Sequence, residues 1–101
     1  MPQANGQIKN RPALFLREMP PFNDALVCGI STQLQQQVSG FDEIIRHQDT
    51  DFSGSGLVAD SVIRLGFLAV LPQNKIIGTI GSIATSRHQR LLQNLSAHLL
   101  K

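Results

Sequence analysis

The chain has 101 residues, 42% of them hydrophobic and 16% charged, with neither Trp nor Tyr. That profile suits one globular domain and excludes a disordered chain; at this length roughly 65% of the unfolded surface can be buried, enough for a modest core. A formal net charge of +2 is too small for a whole-surface field, so a polyanion could bind only through a local basic cluster.

The N-terminus is polar, with no apolar h-region of a signal peptide, and no apolar run approaches the ~18 residues that span a bilayer. The lone Cys28, set in an apolar run, reads as a buried small hydrophobe in a reducing compartment. A cytoplasmic protein without membrane contact is expected.

Along the chain, Asn5-Gly6 is a strong hairpin-turn signal, yet only four residues precede it. It either closes a plain loop or follows a lost strand. Gln7–Leu16 starts polar and basic, turns at Arg11-Pro12 and enters the apolar run Ala13–Leu16. An arginine at the mouth of a strand, with its exit fixed by proline, is poised to hold an anion. Pro20-Pro21 ends the strand by removing ladder donors. Ala25–Ile30 is apolar on both faces, as a central strand should be, and ends in Ser31-Thr32-Gln33.

Leu34–Gly40, with three consecutive glutamines, reads as a solvated loop. Glu43–Arg46 is a short edge-strand candidate, and Phe52–Gly56 carries turn chemistry. Ser61–Leu71 is the longest strand candidate, broken by Pro72-Gln73-Asn74; the β-branched residues of Lys75–Ile80 predict a further strand. Thr85 or Ser86 is a natural N-cap, and from Arg87 onward Leu91, Leu92, Leu95 and Leu99 form one apolar stripe on a helix over 86–100. The expected architecture is mainly β, with a C-terminal helix packed on the sheet.

Metal ligation finds little support. His47, His88 and His98 are scattered and form no ligand spacing, and Asp49 with Asp51 would need further carboxylates to hold a hard cation. Gly54-Ser55-Gly56 lacks the strand-before, helix-after setting of a phosphate loop. What remains is Lys9, Arg11, Ser31, Thr32 and Arg64. Arg11 opens one strand and Ser31-Thr32 closes the next, so an antiparallel pairing would bring them to one sheet edge. A guanidinium gives multidentate donation to phosphate, and a hydroxyl adds a donor that rotates to suit. On spacing alone, an ordinary exposed arginine beside strand-end hydroxyls is the better account of the set.

Four stretches taken together carry a resemblance. Lys9–Leu14, Ala25–Gln33, Asp60–Leu65 and Ile80–Ile83 before the leucine-striped helix resemble the PemK/MazF toxins, in order and over nearly the whole chain. The resemblance implies a single domain over 1–101, folded as an SH3-like small barrel with a C-terminal helix. It also implies a homodimer, a cognate antitoxin, and cofactor-free, metal-independent cleavage of single-stranded RNA at short sequences through attack by the substrate's own 2′-OH.

Arg11 matches the family's catalytic arginine ahead of proline. Ser31 matches a position more often threonine. Arg64 matches an arginine that some members use, while Gly66 stands where those members carry an aspartate. Catalytic roles are thus expected for Arg11 and Ser31, and RNA contacts for Lys9, Asn10, Thr32, Gln33 and Arg64. Family members usually begin with an additional apolar strand, so residues 1–10 are expected to be the remnant of a first hairpin loop whose first strand is missing. Two other readings share the barrel: a CcdB-like toxin acting on gyrase through its C-terminal helix, and an inactive module that binds RNA or antitoxin without cutting.

Overall fold

The computed structural model describes residues 11–76 and 78–101. Four antiparallel strands, β1 (Ala13–Met19), β2 (Asp24–Ser31), β3 (Glu43–Ile45) and β4 (Ser61–Leu71), form one sheet in the order β1-β2-β4-β3. The sheet curls into a half-barrel, and the helix α2 (Thr85–Leu99) packs on it; α1 (Phe52–Ser55) is a single helical turn. Among the described residues no helix is long and apolar enough to cross a membrane. The hairpin turn expected at Asn5-Gly6 and the remnant loop expected over 1–10 fall outside the described residues.

Two irregularities produce the curl. Leu16 is an extra residue in β1, between the pairs Phe15↔Val27 and Arg17↔Leu26. The larger one is in β4: Cys28 pairs with Leu68 but Gly29 pairs with Arg64, so Leu65, Gly66 and Phe67 have no counterpart in β2. Such bulges bend a strand and increase its twist. Leu65 lies in the core, whereas Gly66 through Val70 are exposed.

The bulge strips Leu65 of its ladder partner, and a buried polar backbone group needs another one. Asp42, itself buried, supplies it: its Oδ1 accepts the Leu65 N–H at 2.9 Å and its Oδ2 accepts the Val38 N–H at 2.9 Å. One carboxylate thus pins the 38–42 loop to the point where β4 bends.

The core joins Leu16, Cys28, Ile63 and Leu65 of the sheet to Leu91 and Leu95 of α2, with Leu14, Leu26, Ile30, Phe41, Ile83 and Leu92 packed around them. Burial pushes the Cys28 thiol up to about 12, so it stays protonated and behaves as the small apolar side chain the sequence implied.

Three expectations need correction. Lys75–Ile80 does not continue as a strand: Gln73–Lys75 is a short 3-10 turn, and the described residues from Ile76 to Ala84 join no ladder, Ile77 being outside the described set. The chain lies backbone against backbone on the α1 turn instead. The Ser82 N–H donates to the Gly54 carbonyl at 2.8 Å, and a Cβ on Gly81 would collide with the Gly54 carbonyl oxygen.

The N-cap is Ala84, with no side-chain cap, rather than Thr85 or Ser86, and α2 spans 85–99 rather than 86–100. Finally, Leu99 is exposed, and the buried stripe runs Arg87, Leu91, Leu95. A charged residue occupies the position nearest the helix start, held by partners described below.

Candidate functional site

The site begins with register. In the β1–β2 ladder Ala13 pairs with Gly29. Extending that antiparallel register outward sets position 11 across from Ser31. Arg11 and Pro12 at the mouth of β1, Ser31–Gln33 at the end of β2 and the 57–61 stretch leading into β4 enclose a cleft of about 270 Å³. The two residues expected to be catalytic therefore share one cleft, together with Thr32 and Gln33.

The chemistry of this cleft is one-sided. The Ser31 Oγ accepts the backbone N–H of Gln33 at 3.0 Å, which fixes the oxygen and leaves its hydrogen free to donate. The Gln33 Oε1 accepts from the Gln35 Nε2 at 2.9 Å; that bond leaves the amide nitrogen of Gln33 available as a donor. None of the seven acidic residues, all of them among the described residues, forms an ion pair with Arg11 or Arg64.

Asp60 is the carboxylate within the cleft's 57–61 wall, and it is already engaged. It accepts the His47 backbone N–H at 2.8 Å, bonds the His47 Nδ1, and lies 3.8 Å from Arg46. These partners, chiefly the His47 backbone N–H, hold its carboxyl below the usual carboxylate range. A bound anion would thus meet the Arg11 guanidinium and the Ser31 hydroxyl without a competing carboxylate.

Arg64 does not line the cleft. It pairs with Gly29, and its guanidinium carbon lies 5.7 Å from the centroid of the Phe67 ring. Yet it shares the face of Ser31. Cys28, Ile30, Ile63 and Leu65 project into the core, so Gly29, Ser31 and Arg64, alternating with them along the strands, face the other way. Arg64 is one row further along the sheet than the Arg11–Ser31 row. Lys9 and Asn10 lie outside the described residues.

A second polar cleft, between the 48–51 loop and the start of α2, was not anticipated. Arg87, 8% exposed, fills its base. The guanidinium donates to Asp51 through Nε at 2.8 Å and through Nη2 at 3.1 Å, to Asp49 at 3.1 Å, to Glu43 at 3.1 Å and to the Ile44 carbonyl at 3.2 Å. Arg90 adds two bonds to Glu43, at 3.0 and 3.1 Å. The hydrogen bonds from Arg87 hold Asp51 down at about 2, and those to Asp51 raise Arg87. With its donors committed to protein oxygens, Arg87 is a structural tie rather than a ligand for substrate.

Asp49 and Asp51 therefore serve a cation, but an internal one. The sequence signal was an arginine one helical turn before Leu91 on the buried stripe, a position that demands carboxylate partners.

The three histidines are apart. His47 meets Asp60 and stacks near Phe52, the His88 Nε2 bonds the Phe15 carbonyl at 3.0 Å, and His98 packs against Phe41. Among the described residues, no three His, Cys, Asp or Glu side chains gather in a way that could hold a metal ion.

Comparison with known proteins bears on the whole chain. No curated protein matches it significantly. The family model for the PemK-like, MazF-like toxin of type II toxin–antitoxin systems matches residues 1–99. The half-barrel with its C-terminal helix agrees with that fold. The chain belongs to the PemK/MazF-like toxins of type II toxin–antitoxin systems.

Proposed function

We propose that this toxin is an endoribonuclease that cuts single-stranded RNA at short sequences without a metal ion. The observation that carries the reading is that Arg11 and Ser31 line one cleft, with no carboxylate of the described residues paired to the guanidinium. The 2′-oxygen of the substrate attacks the adjacent phosphorus. The O2′–P bond forms, the P–O5′ bond breaks, the 2′ proton leaves to solvent and the departing 5′ oxygen takes up a proton. The products are a cyclic phosphate and a free 5′-OH.

Negative charge builds on the non-bridging oxygens as the phosphorane forms. Arg11 donates to them with its planar fork, and the Ser31 hydroxyl adds a donor already oriented by its bond from Gln33. Arg11 acts through charge rather than proton transfer, because a guanidinium does not deprotonate in proteins. Thr32, Gln33 and Arg64 contact the rest of the strand, with Lys9 and Asn10 assigned to the same role from sequence. Membership of a type II system supplies a cognate antitoxin as partner; a homodimer acting in the cytoplasm completes the proposal.

Incubating the purified chain with a long single-stranded transcript in EDTA tests this reading. Cleavage with cyclic-phosphate ends is expected, and Arg11→Ala should lower kcat by about 10²–10³-fold or more, the usual effect of losing one charge-stabilising donor. Undiminished cutting by a folded Arg11→Ala protein refutes the assignment of Arg11. RNA binding by the wild-type chain without product, in EDTA and in magnesium alike, points to a binding module.

A further inference from the structure

Phe67 is 63% exposed on the half of β4 beyond the bulge. Its ring lies over Gly29: a Cβ at that position would stand 2.5 Å from Cδ2 of the ring. Gly29 is thus the gap in β2 that lets an aromatic ring lie down on the backbone, the close approach that a glycine within a strand often marks. The Arg64 guanidinium lies over the same ring at 5.7 Å, within cation–π range.

We propose that the Phe67 ring, seated on Gly29 beneath Arg64, is a stacking platform for one base of a single-stranded RNA whose phosphate lies at Arg11 and Ser31. Placement comes first. Gly29 and Ser31 are two residues apart on one face of β2, about 7 Å along a strand. That is one nucleotide step along an extended single strand, so a base on Phe67 and a phosphate at Ser31 belong to neighbouring positions.

Chemistry comes second. The row around the ring is Ala13, Gly29 and Arg64; Phe15 and Val27 form the row on one side, and Ser31, which shares its cleft with Arg11, lies on the other. An exposed aromatic face under Arg64, with Arg11 in the neighbouring cleft and neither arginine ion-paired, matches a nucleotide, which offers a π face and an anion together. On RNA binding Arg64 moves from the ring to the phosphate 3′ or 5′ of the stacked base, and the base takes its place.

The bulge makes the platform. In an unbroken ladder, continuing from Gly29↔Arg64, Phe67 would pair with Leu26, well away from Gly29; the three extra residues of β4 turn it back over the glycine. The proposal rests on the RNA reading of the site, but it can fail separately.

The test uses the full chain and a mixed-sequence 2′-O-methyl RNA oligonucleotide, which cannot supply the attacking hydroxyl. Phe67→Leu keeps apolar bulk and removes the π face. Its dissociation constant should rise about 5- to 150-fold, the effect of one lost base stack, with Phe67→Tyr restoring affinity. An abasic residue walked through the oligonucleotide should, at one position only, abolish the difference between wild type and Phe67→Leu, as required of two groups in direct contact.

Equal binding by wild type and a folded Phe67→Leu, or a difference that no abasic position removes, overturns the platform and leaves the cleavage reading standing. So does loss of self-association in Phe67→Leu with RNA affinity unchanged, which would assign the ring to a contact between copies. No binding by the wild-type chain, together with no cleavage of a transcript, overturns both readings. Binding that depends on Phe67 without any cleavage supports the platform and refutes the nuclease.

Discussion

Ser31 shows how much one hydrogen bond can decide about a side chain. Because its Oγ already accepts the Gln33 N–H, the oxygen is held in place and the O–H remains free to donate into the cleft. Ser31→Ala removes the donor while solvent can satisfy the freed N–H, so kcat should fall about 10²-fold with a stability change under about 1 kcal/mol. Ser31→Thr retains the oxygen and should keep most of the activity. Comparing kcat with the urea midpoint for both variants separates the two effects; an Ala variant as active as wild type would remove Ser31 from the mechanism.

The Arg11–Ser31 pair was legible in the sequence because it depends on strand ends, which Pro12 and the Ser31-Thr32-Gln33 terminus mark. Phe67 was not legible. Its position depends on a three-residue shift between β2 and β4, and nothing in the spacing of Ser61–Leu71 fixes where a long strand will bulge.

Among the elements, α2 owes its attachment to two different contacts. Leu91 and Leu95 enter the core, and Arg87 ties the first turn to Glu43 of β3 and to the 49–51 loop. Asp51 also accepts the Ala84 N–H at 3.0 Å, just ahead of the helix, doing for the helix start what the absent side-chain cap does not. Removing the guanidinium leaves the buried Asp51 carboxylate without its cation and beside Asp49, while Arg90 still holds Glu43. Arg87→Met, which keeps apolar length, should therefore cost about 3–5 kcal/mol, read as a fall in the urea midpoint at neutral pH. A change below about 1 kcal/mol would place this tie among the weak surface pairs.

Strand and helix positions followed the sequence because their periodicity reflects burial: the apolar run of β2, the length of β4 and the Leu91–Leu95 stripe all hold. The Lys75–Ile80 stretch departed from it because β-branched residues favour a strand only where a neighbouring strand has a free edge. Here the chain passes across the α1 turn, and Gly56 and Gly81, where a Cβ would strike the facing backbone, let two backbones meet without a ladder. Likewise Leu99 matched the stripe by spacing alone and is exposed.

At the scale of the whole molecule, charge is sorted by function. The cleft face carries Arg11 and Arg64 without carboxylate partners, while Glu43, Asp49 and Asp51 are gathered against Arg87 and Arg90, and Asp60 against His47 and Arg46. A net charge of only +2 can therefore present a locally basic surface to an anion, because much of the negative charge is held in internal ion pairs. RNA affinity through that face should weaken as salt rises.

The same sorting fixes the response to acid. Asp51 titrates at about 2 in the folded protein, against 3.8 ordinarily, and Asp60 is also lowered. Each binds fewer protons folded than unfolded, so the unfolded state gains as protons are added. The stabilisation is fully present above about pH 4 to 5, falls as pH drops through the interval between 3.8 and 2, and is gone below it. Urea midpoints should be flat from pH 7 to about 5 as far as these carboxylates set them, and should decline steeply below 4. In Arg87→Met the decline should be shallower, because Asp51 loses the partner that lowers it and the crowded carboxylates are relieved by protonation. A variant whose midpoint falls in parallel with wild type across that interval would show that Arg87 does not set the acid limb.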